Sequence, residues 1–174
     1  MQQRPQIIET EHLKLHPISP SDETNLIEIL TNPIINATYV VPQLDTPEKK
    51  HQLFQKLMKV SNDLDKFVYG IYLDNNLIGL INEVENNGKI IELGYAISPN
   101  EQNKGYATET LSACIAALFL MGYLSVKTGA FENNIASMRV MEKSGMKKCE
   151  FTEAFEHNGI VHNCIIYMID NPIT

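Results

Sequence analysis

Three groups of residues in this chain have the types and spacing to do chemistry. The first is a small, polar run, Gln102-Asn103-Lys104-Gly105-Tyr106-Ala107-Thr108. It follows the apolar stretch Ile90 to Ile97 and the stop Ser98-Pro99-Asn100, and it leads straight into an apolar pattern from about Gly105 to Leu120. Proline cannot donate to a strand ladder and Asn favours turns, so the order reads strand, loop, helix N-terminus. Unpaired N–H groups of a first helical turn, together with the helix dipole, attract an anion. Gly105 and Ala107 carry little or no side chain, which lets a phosphate approach the backbone.

The second group is Asn134 and Ser137, three residues apart at the start of a helical pattern and therefore on one face. Asn133 or Asn134 also suits the helix N-cap, and Ser137 suits a solvent-side position. The third group is Glu92 and Glu83, carboxylates within largely apolar strand patterns. Glu92 shares strand parity with Gly94 and Ala96. A carboxylate in such a run is either a solvent-facing position or a proton acceptor, and Glu92 is the stronger candidate for the second role. His157, His162 and Cys164 lack a standard zinc spacing, so no metal is expected.

The elements that must position these groups follow from periodicity. Residues 12–18 alternate as a half-buried strand, and Ser19-Pro20-Ser21-Asp22 starts a short helix that ends near Asn32-Pro33. Residues 34–45 show no period. Thr46-Pro47-Glu48 opens a second helix with a Leu53, Phe54, Leu57, Met58 stripe. Phe67–Leu73, Leu77–Val84 and Lys89–Ile97 form an antiparallel meander through two Asn-rich turns. The 105–120 helix, a strand at 124–130, a helix at 134–143 closed by Ser144-Gly145, and a last strand pair around His157-Asn158-Gly159 complete an α+β order.

At 174 residues the chain is read as one domain over 1–174. A hydrophobic share of 44% with 20% charged residues excludes a disordered chain. A net charge of −7 argues against nucleic-acid or membrane-surface binding, which need a basic face. No apolar run is long enough to span a bilayer, and Met1 to Gln6 does not begin a signal peptide. Three scattered cysteines, Cys114, Cys149 and Cys164, fit reduced thiols in a cytoplasmic protein.

The loop resembles the acetyl-CoA-binding motif of the GNAT N-acetyltransferases, Gln/Arg-x-x-Gly-x-Gly/Ala, with Gln102, Gly105 and Ala107 at its fixed positions. The segment Glu132-Asn133-Asn134-Ile135-Ala136-Ser137 through Glu142-Lys143-Ser144-Gly145-Met146 resembles the corresponding stretch of the ribosomal-protein-alanine/serine branch. The two motifs stand one strand apart, as that architecture requires.

The resemblance implies a GNAT fold, a mostly antiparallel mixed sheet of about seven strands flanked by about four helices. It implies acetyl-CoA as co-substrate, held by Ala96, Ile97, Gln102 to Thr108, Asn134 and Ser137. It implies acetyl transfer to an amine, a protein N-terminus or a small molecule, directly in a ternary complex of a monomer or homodimer. Glu92 or Glu83 would take the amine's proton, and a backbone N–H near Ala96 or Ile97 would hold the oxyanion. The chain departs from much of the superfamily in one respect. The helix from 134 to 145 has no tyrosine to serve the leaving thiolate, and Ser137 is its only hydroxyl before the cap. A catalytically idle acyl-CoA sensor is therefore the rival reading.

Overall fold

Alternating apolar side chains build one eight-stranded sheet, and helices cover both of its faces. The computed structural model describes residues 2–157 and 159–173. The strands are β1 (Ile8–Glu9), β2 (Lys14–His16), β3 (Val68–Leu73), β4 (Asn76–Asn86), β5 (Ile90–Ile97), β6 (Ser125–Phe131), β7 (Lys147–His157) and β8 (Ile160–Asp170). The helices are α1 (Glu23–Thr31), α2 (Pro33–Asn36), α3 (Pro47–Ser61), α4 (Tyr106–Met121) and α5 (Ile135–Lys143). The sheet runs β1-β2-β3-β4-β5-β6-β8-β7. The expected fold class holds. Two short elements were not anticipated, β1 and the one-turn α2, because pieces of two and four residues are too short to show a period. Asn158, expected in the last turn, lies outside the described residues.

Local chemistry sets the helix ends. Thr46 Oγ1 accepts from Lys49 N–H at 3.3 Å, and Pro47 occupies the first position of α3. Gly122 closes α4 at φ 99°, and Gly145 follows α5 at φ 84°. Two apolar clusters form because successive strand residues face opposite ways. Leu93 and Ile97 pack with Leu111, Leu118 and Met141 on the α4–α5 face. Ala96 packs with Leu26, Ile35 and Phe54 on the α1–α3 face. Among the described residues no helix is long and apolar enough to cross a membrane.

One seam positions everything else. Every pairing is antiparallel except β5 with β6, and that parallel contact covers only Ile90↔Ser125 through Leu93↔Thr128. Beyond it β5 continues beside β4 to Ile97, while β6 continues beside β8 to Phe131. The two strands part, and a notch opens in the sheet.

Candidate active site

The notch widens into a cleft of about 500 Å³. One side is formed by Gly94 to Ile97 of β5, the loop before α4 and the first turn of α4. The other is formed by Thr128 and Gly129 of β6 and by α5. Of the expected cofactor residues, Ala96, Ile97, Gln102, Asn103, Gly105, Tyr106, Ala107, Thr108, Asn134 and Ser137 all line it. Lys104 does not. Its Nζ pairs with Oε2 of Glu101, a cleft residue, at 2.9 Å.

Gly105 is the N-cap of α4 at φ 90°, with no side chain capping the helix and open space where a Cβ would stand. Asn103 also has positive φ, 62°, so the loop turns twice through left-handed backbone before the helix begins. The first-turn N–H groups of α4 therefore face the cleft without a protein acceptor at the cap. Gln102 holds the loop to the strand, its Nε2 donating to Ile97 O at 3.0 Å. Ser98 N–H donates to Ile78 O of β4 at 2.7 Å. By alternation Ala96 also turns its N–H to β4, whereas Tyr95 and Ile97 turn theirs to the notch. Of the two expected oxyanion donors, Ile97 thus faces the cleft with its backbone and Ala96 does not.

On α5, Asn134 Oδ1 accepts from Ser137 N–H at 3.1 Å, so Asn134 is the N-cap. Ala136, Ser137, Arg139, Val140 and Lys143 of the helix line the cleft. Arg139 and Lys143 bring two cations to the cleft of an acidic chain, a feature the sequence reading did not single out. Arg139 and Lys143 lie four residues apart, one turn of the helix, and that spacing was the available signal.

The carboxylates stand elsewhere. Neither Glu92 nor Glu83 lines the cleft. Glu83 pairs with Lys66 Nζ at 2.9 Å and accepts from Phe67 N–H at 3.0 Å, so it braces β4 against the start of β3. Glu92 pairs with Lys127 Nζ at 3.0 Å, because the parallel register sets Lys127 directly beside it. Lys127 also meets Glu153 at 2.7 Å, so one cation is shared by two carboxylates. Glu92 Oε1 lies 4.0 Å from where a Cβ on Gly129 would be, and Gly129 is a cleft residue. Ile166 Cδ1 stands nearer to that same point, at 3.1 Å, so the carboxylate approaches the cleft past Gly129 and Ile166.

The far end belongs to the segment that showed no period. Ile34, Ile35, Thr38 and Tyr39 wall it. The Tyr39 ring lies 3.5 Å from a Cβ built on Gly94, and its hydroxyl donates to Asn82 Oδ1. Burial pushes the Tyr39 phenol well above its ordinary value.

The comparisons with known proteins agree with this geometry. A family model described as an acetyltransferase (GNAT) domain matches residues 12–147. The chain belongs to the GNAT acetyltransferase family. It is similar to YoaA of Bacillus subtilis (strain 168), described as an uncharacterised N-acetyltransferase, at 24% identity over 172 residues, spanning 95% of this chain and 97% of that one. A GNAT-family acetyltransferase from Bacillus anthracis has the same fold at a TM-score of 0.81 and 23% identity, with 95% of this chain and 98% of that one covered. RimL, a ribosomal L7/L12 alpha-N-protein acetyltransferase solved in complex with coenzyme A, also superposes at 0.81, with 21% identity and coverage of 94% and 97%. At these identities the superpositions carry the fold.

Proposed function

We propose that this GNAT protein binds acetyl-CoA in the cleft and transfers its acetyl group directly to an amine, a protein N-terminus or a small molecule, in a ternary complex. The observation that carries this reading is Gly105, a left-handed N-cap with no capping side chain and open space before it, aimed into the cleft. That backbone suits the pyrophosphate, and Arg139 and Lys143 add positive charge nearby. The relative solved with coenzyme A shares the fold.

The chain's own residues divide the work. Asn134 and Ser137 meet the pantetheine arm and sulfur. The Ile97 N–H, turned into the notch, donates to the oxyanion of the tetrahedral intermediate. The amine enters from the Tyr39 end. An amine attacks only when neutral, so its proton leaves through water and is taken up by Glu92, whose Oε1 approaches the cleft at Gly129. The shared Lys127 supports that role, since Glu92 and Glu153 together outweigh its single charge.

Heat denaturation with acetyl-CoA tests the reading. At about 100 times its dissociation constant the ligand adds roughly 2.7 kcal/mol, a rise on the order of 5–10 °C in Tm. Thiol release with a panel of amines, including peptides with free N-terminal Ser or Ala and polyamines, then separates an enzyme from a sensor, which stabilises without releasing CoA. No thermal shift at millimolar acetyl-CoA overturns the assignment.

A further inference from the structure

Ser137 does not stand alone in the cleft. Tyr95, from β5, reaches it across the notch, and their hydroxyl oxygens are 2.7 Å apart. Both residues line the cleft. The Tyr95 phenol has two acceptors in reach, Ser137 Oγ at 2.7 Å and Ser137 O at 3.3 Å, and the shorter contact has the better geometry for an O–H donor. Among the described residues Ser137 Oγ has no other partner, so a phenol that donates to it leaves the serine hydrogen free to point at a ligand.

We propose that Tyr95 is a positioning residue for the departing CoA sulfur: its hydroxyl donates to Ser137 Oγ and thereby aims the Ser137 hydrogen at the thiolate. This rests on the acetyl-CoA reading above. As the tetrahedral intermediate collapses, the C–S bond breaks and its electron pair goes to sulfur. The carbonyl re-forms as the amide. Sulfur departs as a thiolate that accepts from Ser137 Oγ–H, and later takes a proton from water, balancing the one lost by the amine. Neither hydroxyl gives up its proton. Chained donors polarise one another, so the two together hold the anion better than serine alone. Burial pushes the Tyr95 phenol up to about 12, with the Ser137 contact working the other way. The phenol is thus a protonated donor at neutral pH and is lost only as pH rises through that value.

The test reads the thiol of CoA bound to the full-length protein, through thiolate absorbance against pH. It needs no acceptor amine. A hydrogen bond to a charged group corresponds to a titration about one to two units lower than without it. The expected result is that bound CoA titrates lower on the wild type than on Tyr95→Phe or Ser137→Ala by that amount. The double variant shifts no further than Ser137→Ala, because Tyr95 acts through the serine. Affinity for protonated CoA stays within about twofold in Tyr95→Phe, as expected when only a neutral contact to the protein is lost. A wild-type titration in Tyr95→Phe overturns the proposal, as does a double variant equal to the sum of the singles. Should Tyr95→Phe fail to fold, Ser137→Ala carries the test, and an unshifted thiol there overturns it equally. Failure of the wild type to bind CoA removes the acetyl-CoA reading itself, whereas binding with unshifted titrations removes this inference alone.

Discussion

The two ends of the cleft are built from different materials. The α4 end is made of backbone: Gly105 at φ 90°, Asn103 at φ 62° and the first turn of a long helix, tied to β5 by Gln102. The Tyr39 end is made of side chains, Ile34, Ile35, Thr38 and Tyr39, brought over the sheet from a segment with only one turn of helix. A backbone site depends on residue types that permit unusual dihedrals, and it tolerates few replacements. A side-chain wall asks only for suitable volume and polarity, so it can be rebuilt for a different acceptor while the cofactor end is kept.

The largest break in this comparison is Gly105→Val. A branched residue is strained at φ 90°, and its side chain fills the open space proposed for the phosphate. Losing charge-assisted contacts there lowers acetyl-CoA affinity by on the order of a hundred- to a thousandfold. Calorimetry should find this loss in a protein that remains folded, and unchanged affinity refutes the backbone cradle.

Glu92→Gln probes the carboxylate that stands behind Gly129, between the two ends. Turnover is expected to fall by roughly ten- to a hundredfold at neutral pH, with acetyl-CoA affinity unchanged. The deficit narrows as pH rises, because the free amine grows at the expense of the ammonium and needs no acceptor. A parallel pH–rate profile in the variant excludes Glu92 as the base.

At the other end, Tyr39→Ala removes a wall without touching the cradle. The amine KM should rise by about three- to tenfold while the acetyl-CoA dissociation constant moves less than twofold. If both constants rise together, the ends are not separable. Lys104→Ala is the control with the smallest effect, under about twofold in cofactor affinity, since that side chain is half-exposed and paired with Glu101. A larger loss would bring Lys104 back to the phosphates.

The same division explains what the chain disclosed in advance. The loop before α4 was legible because its work is done by adjacent residues, and Gly105 is needed at one position for one reason. Asn134 was legible as both cap and cleft residue from helix spacing. Tyr95 was not. In an apolar strand run it reads as core, and its partner lies on a helix beyond another strand, so only the parting of β5 and β6 joins them. Lys127 escaped notice for a related reason: its place beside Glu92 follows from a register between distant strands, which periodicity does not encode. The absence of a tyrosine on α5 pointed to a gap, and the tyrosine that reaches Ser137 comes from the sheet.

The short parallel seam has a consequence for amide exchange. β5 is paired on both edges from Ile90 to Leu93 and on one edge beyond, so a single strand contains both kinds of amide. The N–H groups of Gly94 and Ala96, turned to β4, exchange only when the ladder opens, whereas those of Tyr95 and Ile97 look into the notch and have no ladder partner to break among the described residues. Neighbouring amides therefore differ in protection by a mechanism that owes nothing to overall stability. A molecule seated in the notch and accepting from Ile97 would slow that amide while leaving Ala96 as it was, which turns one residue into a reporter of occupancy and its neighbour into the internal reference.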